Sequence, residues 1–125
     1  RLTAGEVWRL GRDDAEDFQR LALAEPATSC GPETGPGCFL FRPADADFSY
    51  VEMIHPTDFS SAQLSGGAGG GELAELRHVV IRRWMEKGVI VRARLRGAFV
   101  DRKDDTHRAR RIYRDFCAAQ IPLTV

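Results

Sequence analysis

The amino-acid sequence predicts an α+β fold, in which an antiparallel sheet of about five strands carries two helices on one face. Three observations lead to this prediction. Five segments have the composition of strands, and two others place apolar residues at helical spacing behind an acidic start. The elements follow the order βα, ββ, ββα, which is typical of an antiparallel sheet with helices on one face. The length of 125 residues suits one domain.

The first two elements are a predicted strand at 6–10 and a predicted helix at 14–24. Asp13 is a good N-cap, and acidic residues at the front of a helix suit its positive end. Pro26 is expected to end the helix, because the residue before a proline avoids the helical conformation. The apolar residues at helical spacing are Phe18, Leu21 and Ala22.

Two further strands are predicted at 38–41 and 48–54, and we expect them to form a hairpin. The proline- and glycine-rich segment 26–37 before them is predicted to be a loop. Residues 60–71 are nearly all Ser, Gly and Ala, so we predict a flexible loop there, within a single domain that covers 1–125.

A long C-terminal hairpin is predicted from strands at 77–85 and 89–100. The connection 86–88 ends in Gly88, which fits the left-handed position of a three-residue hairpin loop. The predicted core face consists of Val79, Ile81, Met85, Val89, Val91, Ala93, Leu95 and Phe99. The predicted outer face consists of Val80, Arg82, Trp84, Ile90, Arg92, Arg94 and Arg96.

The last predicted element is a helix at 105–119, with Asp104 as its N-cap and Pro122 beyond its end. Its apolar residues recur at steps of three and four, so they are expected to face the core. These residues are Ala109, Ile112, Tyr113 and Phe116.

Three cysteines, Cys30, Cys38 and Cys117, are too few for a secreted disulfide framework. Cys30 and Cys38 bracket a loop that a disulfide could close, and the alternative is two free thiols. Cysteines and histidines lack the spacing of a metal site, so we predict no metal and no cofactor. The chain begins at Arg1 and shows neither a signal peptide nor an apolar run of membrane-spanning length, so we expect a cytoplasmic location without a membrane partner.

Charge is distributed unevenly, although the whole chain is formally neutral. Residues 1–76 carry a net charge of −8, and residues 77–125 carry +8. Either the two halves neutralise each other in the fold, or the basic half presents a surface to an anionic partner.

The basic half contains a candidate polyanion-binding face. Arginine forks bind phosphates, and an aromatic ring can stack on a base, so a sheet face with both could hold single-stranded nucleic acid. The competing interpretation is an ordinary polar strand face, exposed or covered by other protein. The candidate residues are Arg82, Trp84, Arg92, Arg94, Arg96 and Arg111.

A small enzyme is a further alternative, with a site near His55 and Asp58 and the loop 60–71 as a lid. A histidine close to a carboxylate can serve acid–base chemistry. No recognisable catalytic motif accompanies the pair, and Pro56 makes a simple turn the competing interpretation, so no catalytic residue is assigned.

The C-terminal part of the sequence is similar to the ends of functionally uncharacterised bacterial proteins. The similar residues are Glu86, Lys87, Gly88, Val89, Arg92, Arg94, Gly97, Phe99, Pro122, Leu123 and Thr124, within about the last 40 positions. This resemblance implies no activity and no functional residues.

The absence of a catalytic constellation favours a non-catalytic interaction or structural module. The apolar residues Val80, Trp84 and Ile90 on the predicted outer face favour a covered surface. Because isologous dimers are the commonest oligomers, a second copy of the chain is the first expected cover, and another protein or nucleic acid are further possible partners.

Overall fold

The structure is a computed structural model, and it describes residues 5–12, 17–23, 27–66, 74–82 and 84–120. Within these residues the chain forms eight strands and a C-terminal helix. The elements are β1 (Glu6–Leu10), β2 (Phe18–Leu21), β3 (Thr28–Cys30), β4 (Cys38–Arg42), β5 (Phe48–Ile54), β6 (Ser61–Gly66), β7 (Ala74–Val79), β8 (Leu95–Asp101) and α1 (Asp105–Ala118).

The strands form two antiparallel sheets. Sheet A has five strands in the order β2-β1-β4-β5-β8, and sheet B has three in the order β3-β6-β7. Helix α1 packs on one face of sheet A, and sheet B packs on the other face. Sheet A is therefore the middle layer of the molecule, and it ends on one side at β8.

Strand β4 shows why sheet A needs cover on both faces. Its first three residues, Cys38, Phe39 and Leu40, are all fully buried. Successive side chains of a strand point to opposite faces. Accordingly Cys38 and Leu40 join the core beneath α1, whereas Phe39 joins the core beneath sheet B.

The predicted fold class is wrong, because the protein is mostly sheet and a single helix is found among the described residues. In the described part of the predicted helix at 14–24 the chain forms strand β2, which pairs antiparallel with β1. The predicted N-cap Asp13, residues 14–16 and residues 24–26 lie outside the described residues. In a helix Phe18 and Leu21 would share one face. In the structure Phe18 joins the core beneath α1 and Leu21 packs against the core beneath sheet B, as strand alternation requires.

The predicted C-terminal hairpin is also wrong as a pair of strands. Its first strand, β7, pairs with β6 in sheet B, and its second, β8, pairs with β5 in sheet A. The two segments thus belong to different sheets, and no ladder joins them within the described residues. The left-handed conformation predicted for Gly88 is confirmed, with φ +91°. The three-residue loop is not, because the Val89 N–H donates to the Glu86 carbonyl at 3.2 Å and the turn is 86–89.

The predicted core face of that hairpin does not form a core. Four of its large apolar side chains are exposed instead of buried, two in the segment between the sheets and two on β8 at the edge of sheet A. The exposed residues are Met85, Val89, Leu95 and Phe99.

Two loop predictions need revision. The predicted flexible loop at 60–71 contains β6 at its start, and its residues 67–71 lie outside the described residues. Cys30 and Cys38 are free thiols, and they belong to the cores on opposite faces of sheet A, so no disulfide joins them.

Helix α1 confirms the predicted stripe, since Ala109, Tyr113 and Phe116 are buried and Ile112 packs beside them. Its predicted cap is wrong. Asp104 adopts a left-handed conformation with φ 56° and makes no capping bond through its side chain.

Asp105 instead attaches the start of α1 to sheet A. Its buried carboxylate accepts hydrogen bonds from Nε and Nη2 of Arg42 at 2.7 and 2.8 Å, and from the Ser49 hydroxyl at 2.7 Å. Arg102 donates to the same Ser49 hydroxyl and to three carbonyls of the turn 43–48. Burial acts to raise the pKa of Asp105, but the bonds from Arg42 and Ser49 outweigh it, and the pKa is lowered.

Arg9 of β1 fixes the loop between β3 and β4 by hydrogen bonds. It is only 5% exposed, and it donates to the carbonyls of Gly31, Gly35 and Pro36 and to the Thr34 hydroxyl. Burial lowers the pKa of this guanidinium. The loop between β3 and β4 is therefore held by one side chain from β1.

We expect Asp105→Asn to lower the free energy of unfolding by about 2 kcal/mol at neutral pH, because hydrogen bonds to a charged group contribute roughly 1.5–3 kcal/mol. The loss should shrink in acid. Since the pKa of Asp105 is lowered on folding, its contribution is present above the pKa of an unfolded Asp, about 3.9, and disappears as the pH falls through the lower folded pKa. Denaturant titrations across this window measure the effect, with exposed Asp115→Asn as control. A pH-independent difference would contradict the role of the charge.

Candidate interaction surface

Residues 80–82 and 84–94 form a projecting segment, here called the arm, which leaves the end of β7 and returns to the start of β8. Its turn lies at 86–89. Trp84 is 87% exposed and Ile90 is 95% exposed, while Met85 and Val89 are also exposed. Large apolar side chains in this state, close together in one segment, are characteristic of a surface that another molecule covers.

The backbone of the arm also has the features of a binding surface. No ladder joins its two legs within the residues that the structure describes, and the chain runs from 89 to 101 without a turn or bend. An extended chain presents N–H and C=O groups that can pair with another strand. The arm therefore offers both apolar side chains and backbone bonding groups.

Arg94 fixes the root of the arm. Its backbone N–H and its Nε both donate to Asp58 Oδ2, at 2.9 and 3.2 Å, and its Nη2 donates to the Thr57 hydroxyl at 2.9 Å. The His55 N–H donates to the Arg94 carbonyl at 3.0 Å. The polyanion candidate Arg94 and the enzyme candidates His55 and Asp58 thus meet in one cluster, here called the root cluster.

The root cluster determines which nitrogen of His55 carries the proton. Nδ1 lies 3.1 Å from Arg94 Nη2 and 3.3 Å from the Thr57 N–H, and both of these groups can only donate. Nδ1 is therefore the acceptor. Nε2 carries the proton and donates to the Cys117 carbonyl at 3.3 Å. Both nitrogens of His55 are used in holding the fold, and Asp58 is occupied by Arg94.

The remaining arginines of the candidate face are dispersed. Arg82 and Arg92 are exposed on the arm beside Trp84. Arg96 lies over the ring of Phe116, with its guanidinium carbon 5.0 Å from the ring centroid, so it is turned towards α1. Arg111 is exposed on α1. The structure brings Arg94 to the root cluster rather than into a row, and polyanion binding stays a hypothesis.

Strand β8 is the open edge of sheet A, because it pairs with β5 on one side and with no other strand of the described residues. Phe99 is 71% exposed and Leu95 is 59% exposed, on the face that carries sheet B further along. Phe99 packs against the rings of Phe48 and Tyr50 at centroid distances of 5.5 and 5.1 Å. Gly97 leaves room for this arrangement, since a Cβ there would overlap the Tyr50 hydroxyl.

A groove of about 580 Å³ lies between the end of β8 and helix α1. Its walls combine apolar side chains with charges of both signs. The lining residues are Phe48, Phe99, Val100, Asp101, Asp104, His107, Arg108, Arg111 and Ile112. A second hollow of about 460 Å³ lies farther along α1 and shares His107 and Arg111 with the groove.

Sequence reasoning missed Leu95 and Phe99 as surface residues, because strand alternation places them on the same face as core residues. The position of β8 at the edge of the sheet, with no further strand of the described residues beside it, cannot be read without the pairing. Among the groove residues, Arg111 is the one that belongs to the predicted polyanion-binding set.

The described residues contain no group of three or more His, Cys, Asp and Glu side chains arranged to hold a metal. Burial raises the pKa of the thiols of Cys30, Cys38 and Cys117. Thiolates, rather than thiols, are the nucleophiles and metal ligands, so these cysteines are suited to packing.

Comparisons of this chain with protein-family models, with curated proteins and with solved structures each find no match. The resemblance to uncharacterised bacterial proteins stays a prediction. Among the helices in the described part of the chain, none has the length and apolar character needed to cross a membrane.

We expect the His55 ring to carry a proton on Nε2, because Nδ1 faces donors in the root cluster. Correlations between ring protons and ring nitrogens in NMR spectra distinguish this tautomer, and His55→Gln assigns the signals among the three histidines. In Arg94→Gln, Nδ1 loses its arginine donor and the tautomer should become mixed. A proton on Nδ1 in the original protein would contradict the bonding of the root cluster.

Proposed function

We propose that this protein is a non-catalytic interaction module that self-associates, with the arm as its binding element. The observation that carries the proposal is the almost complete exposure of Trp84 and Ile90 on the arm. Fully burying one large aliphatic side chain stabilises a complex by roughly 1.5–3 kcal/mol. A tryptophan adds a large contact area and is enriched among the residues that dominate binding energy.

The second copy is supported as the partner because the chain supplies both halves of a complementary surface. The arm carries exposed apolar residues, and β8 offers an open edge with exposed Phe99 and Leu95 beside it. In an isologous dimer each copy presents the same surfaces, so one contact is made twice. The groove beside β8 contains Asp101 and Arg108, and the arm tip contains Lys87 and Glu86, so each sign of charge on the tip has an opposite charge available.

The enzyme alternative lacks comparable support. Its two named residues, His55 and Asp58, are both engaged with Arg94. A general base needs a free lone pair within reach of its substrate, and Nδ1 already faces two donors. The interaction module accounts for the arm without requiring these groups to be free.

We expect Trp84→Ser combined with Ile90→Ser to weaken self-association by at least about a hundredfold, because roughly 1.4 kcal/mol per residue corresponds to tenfold. Sedimentation velocity over a range of protein concentrations measures the association constant. Both side chains are exposed in the single chain, so the thermal unfolding midpoint at low concentration should hardly change.

The matched control is Trp84→Phe, which keeps a large apolar ring and should retain most of the association. A protein that stays monomeric at the highest concentrations, or a double serine variant that associates as tightly as the original, would overturn the proposal.

A further inference from the structure

We infer that residues 89–94 of a second copy add to the open edge of β8 as an antiparallel strand, and that the two copies do this reciprocally about a two-fold axis. This inference rests on the proposed self-association, and it specifies the site that receives the arm. Strand addition at an open sheet edge combines main-chain hydrogen bonds with pockets for alternate side chains.

The backbone of β8 shows which groups face the open edge. Ile54 pairs with Leu95 in the ladder between β5 and β8, and the His55 N–H bonds the Arg94 carbonyl as the ladder continues. Backbone groups of successive residues in a strand point to opposite edges. Since Arg94 points towards β5, the odd-numbered residues 95, 97, 99 and 101 point away from it.

The arm continues this pattern. Because 89–101 runs without a turn or bend, the backbone groups of residues 91 and 93 point to the same outer side as those of Leu95 and Phe99, whereas the Val89 N–H is taken by the Glu86 carbonyl within the turn. One continuous stretch therefore contains both the added strand and the edge that receives it. Two such stretches, related by a two-fold axis near Arg94, can pair with each other along their whole length.

One register of this pairing matches the side chains. It brings Lys87, in the turn at the tip of the arm, to the end of β8 near the partner's Asp101, so that unlike charges come close. It also places Val89 opposite Phe99 and Ile90 opposite Ala98, so that exposed apolar residues of the arm meet apolar residues of β8. Positions opposite each other in an antiparallel pair share a face, which this register satisfies.

The length of the arm agrees with this register. Six residues of extended chain, 89–94, reach about 20 Å, close to the length of the seven-residue strand β8. The tip of one arm thus arrives at the far end of the partner's β8, where the groove lies. Glu86 would enter a groove that contains Arg108 and Arg111.

The register carries unfavourable like-charge pairs. Arg94 lies opposite the partner's Arg94 at the two-fold axis, where each is paired with Asp58 of its own chain. Arg92 lies opposite the partner's Arg96 in each half of the dimer. Arg96 is drawn over the Phe116 ring of its own chain, which turns its charge towards α1. The contact is tolerable because both arginines are exposed to solvent, where like charges are screened.

Val91→Pro tests the strand addition. Proline removes the outward N–H that would bond the partner's Gly97, and it fits an extended edge strand of the single chain. The bond is lost twice in a two-fold dimer, so we expect association at least about tenfold weaker, measured by sedimentation velocity. The control Val91→Thr keeps the N–H and the branched side chain, and it should associate like the original protein.

A charge exchange tests the register. Lys87→Asp and Asp101→Lys should each weaken association by roughly two- to fivefold, and the double variant, in which the charges are exchanged, should restore it. Both residues are exposed, so the single chain should keep its stability.

The outcomes separate this inference from the proposal on which it rests. If Val91→Pro associates as tightly as Val91→Thr while the serine variant of Trp84 and Ile90 does not, the arm mediates association elsewhere and the inference is overturned. If Val91→Pro weakens association but the exchanged charges restore nothing, the register is overturned. A strictly monomeric original protein overturns both proposals.

Discussion

The structure depends on a mismatch in strand number between its two sheets. Sheet A has five strands and needs cover on both faces, because residues of its central strand β4 are buried on each side. Sheet B has only three strands. Its strand β7 reaches as far as β5, where the His78 Nε2 bonds the Glu52 carboxylate at 2.6 Å, and this bond lowers the pKa of Glu52. Strand β8 lies beyond that cover, so an open edge with exposed Phe99 follows from the layer arrangement.

The same mismatch explains the arm. The chain must pass from the edge of sheet B to the edge of sheet A, and it does so through 80–94 rather than by a short turn. Two contacts hold the ends of this passage: the bond between His78 and Glu52, and the root cluster around Arg94 and Asp58. Between these attachments Val80 packs against the core beneath sheet B, whereas Trp84, Met85, Val89 and Ile90 are exposed. The arm is rigidly placed at its root and presented to a partner at its tip.

These contacts also bear on the uneven charge of the sequence. Arg94 and His78 belong to the basic half, and they bond Asp58 and Glu52 of the acidic half. Arg42 and Asp105 join the halves in the opposite sense, with the cation in the acidic half. Ion pairs between the halves are thus part of how the layers are held together. The first interpretation of the charge asymmetry, mutual neutralisation, applies to the groups at the layer contacts.

Sequence reasoning succeeded where an element is specified by its own residues. Strands β1, β4 and β5 and helix α1 were predicted, as was the left-handed conformation of Gly88, because each has a local pattern strong enough to identify it. It failed where pairing between distant segments decides. Strand β6 lies in a Ser- and Gly-rich segment that has the composition of a loop, and β2 has a spacing that suits a helix. Arg94 and Asp58 of the root cluster are 36 residues apart in the sequence, so no local spacing predicts that they meet.

Hydrogen–deuterium exchange of the arm as a function of protein concentration tests the central claim most directly. The account predicts that amides of residues 84–86 and 90–93 exchange rapidly in dilute solution, because the arm has no ladder of its own within the described residues, and become protected as concentration rises, together with those of β8. Exchange in sheet B should not change and serves as the internal reference. Rapid exchange of the arm that is the same at every concentration would show that no second copy covers it, and would contradict the account.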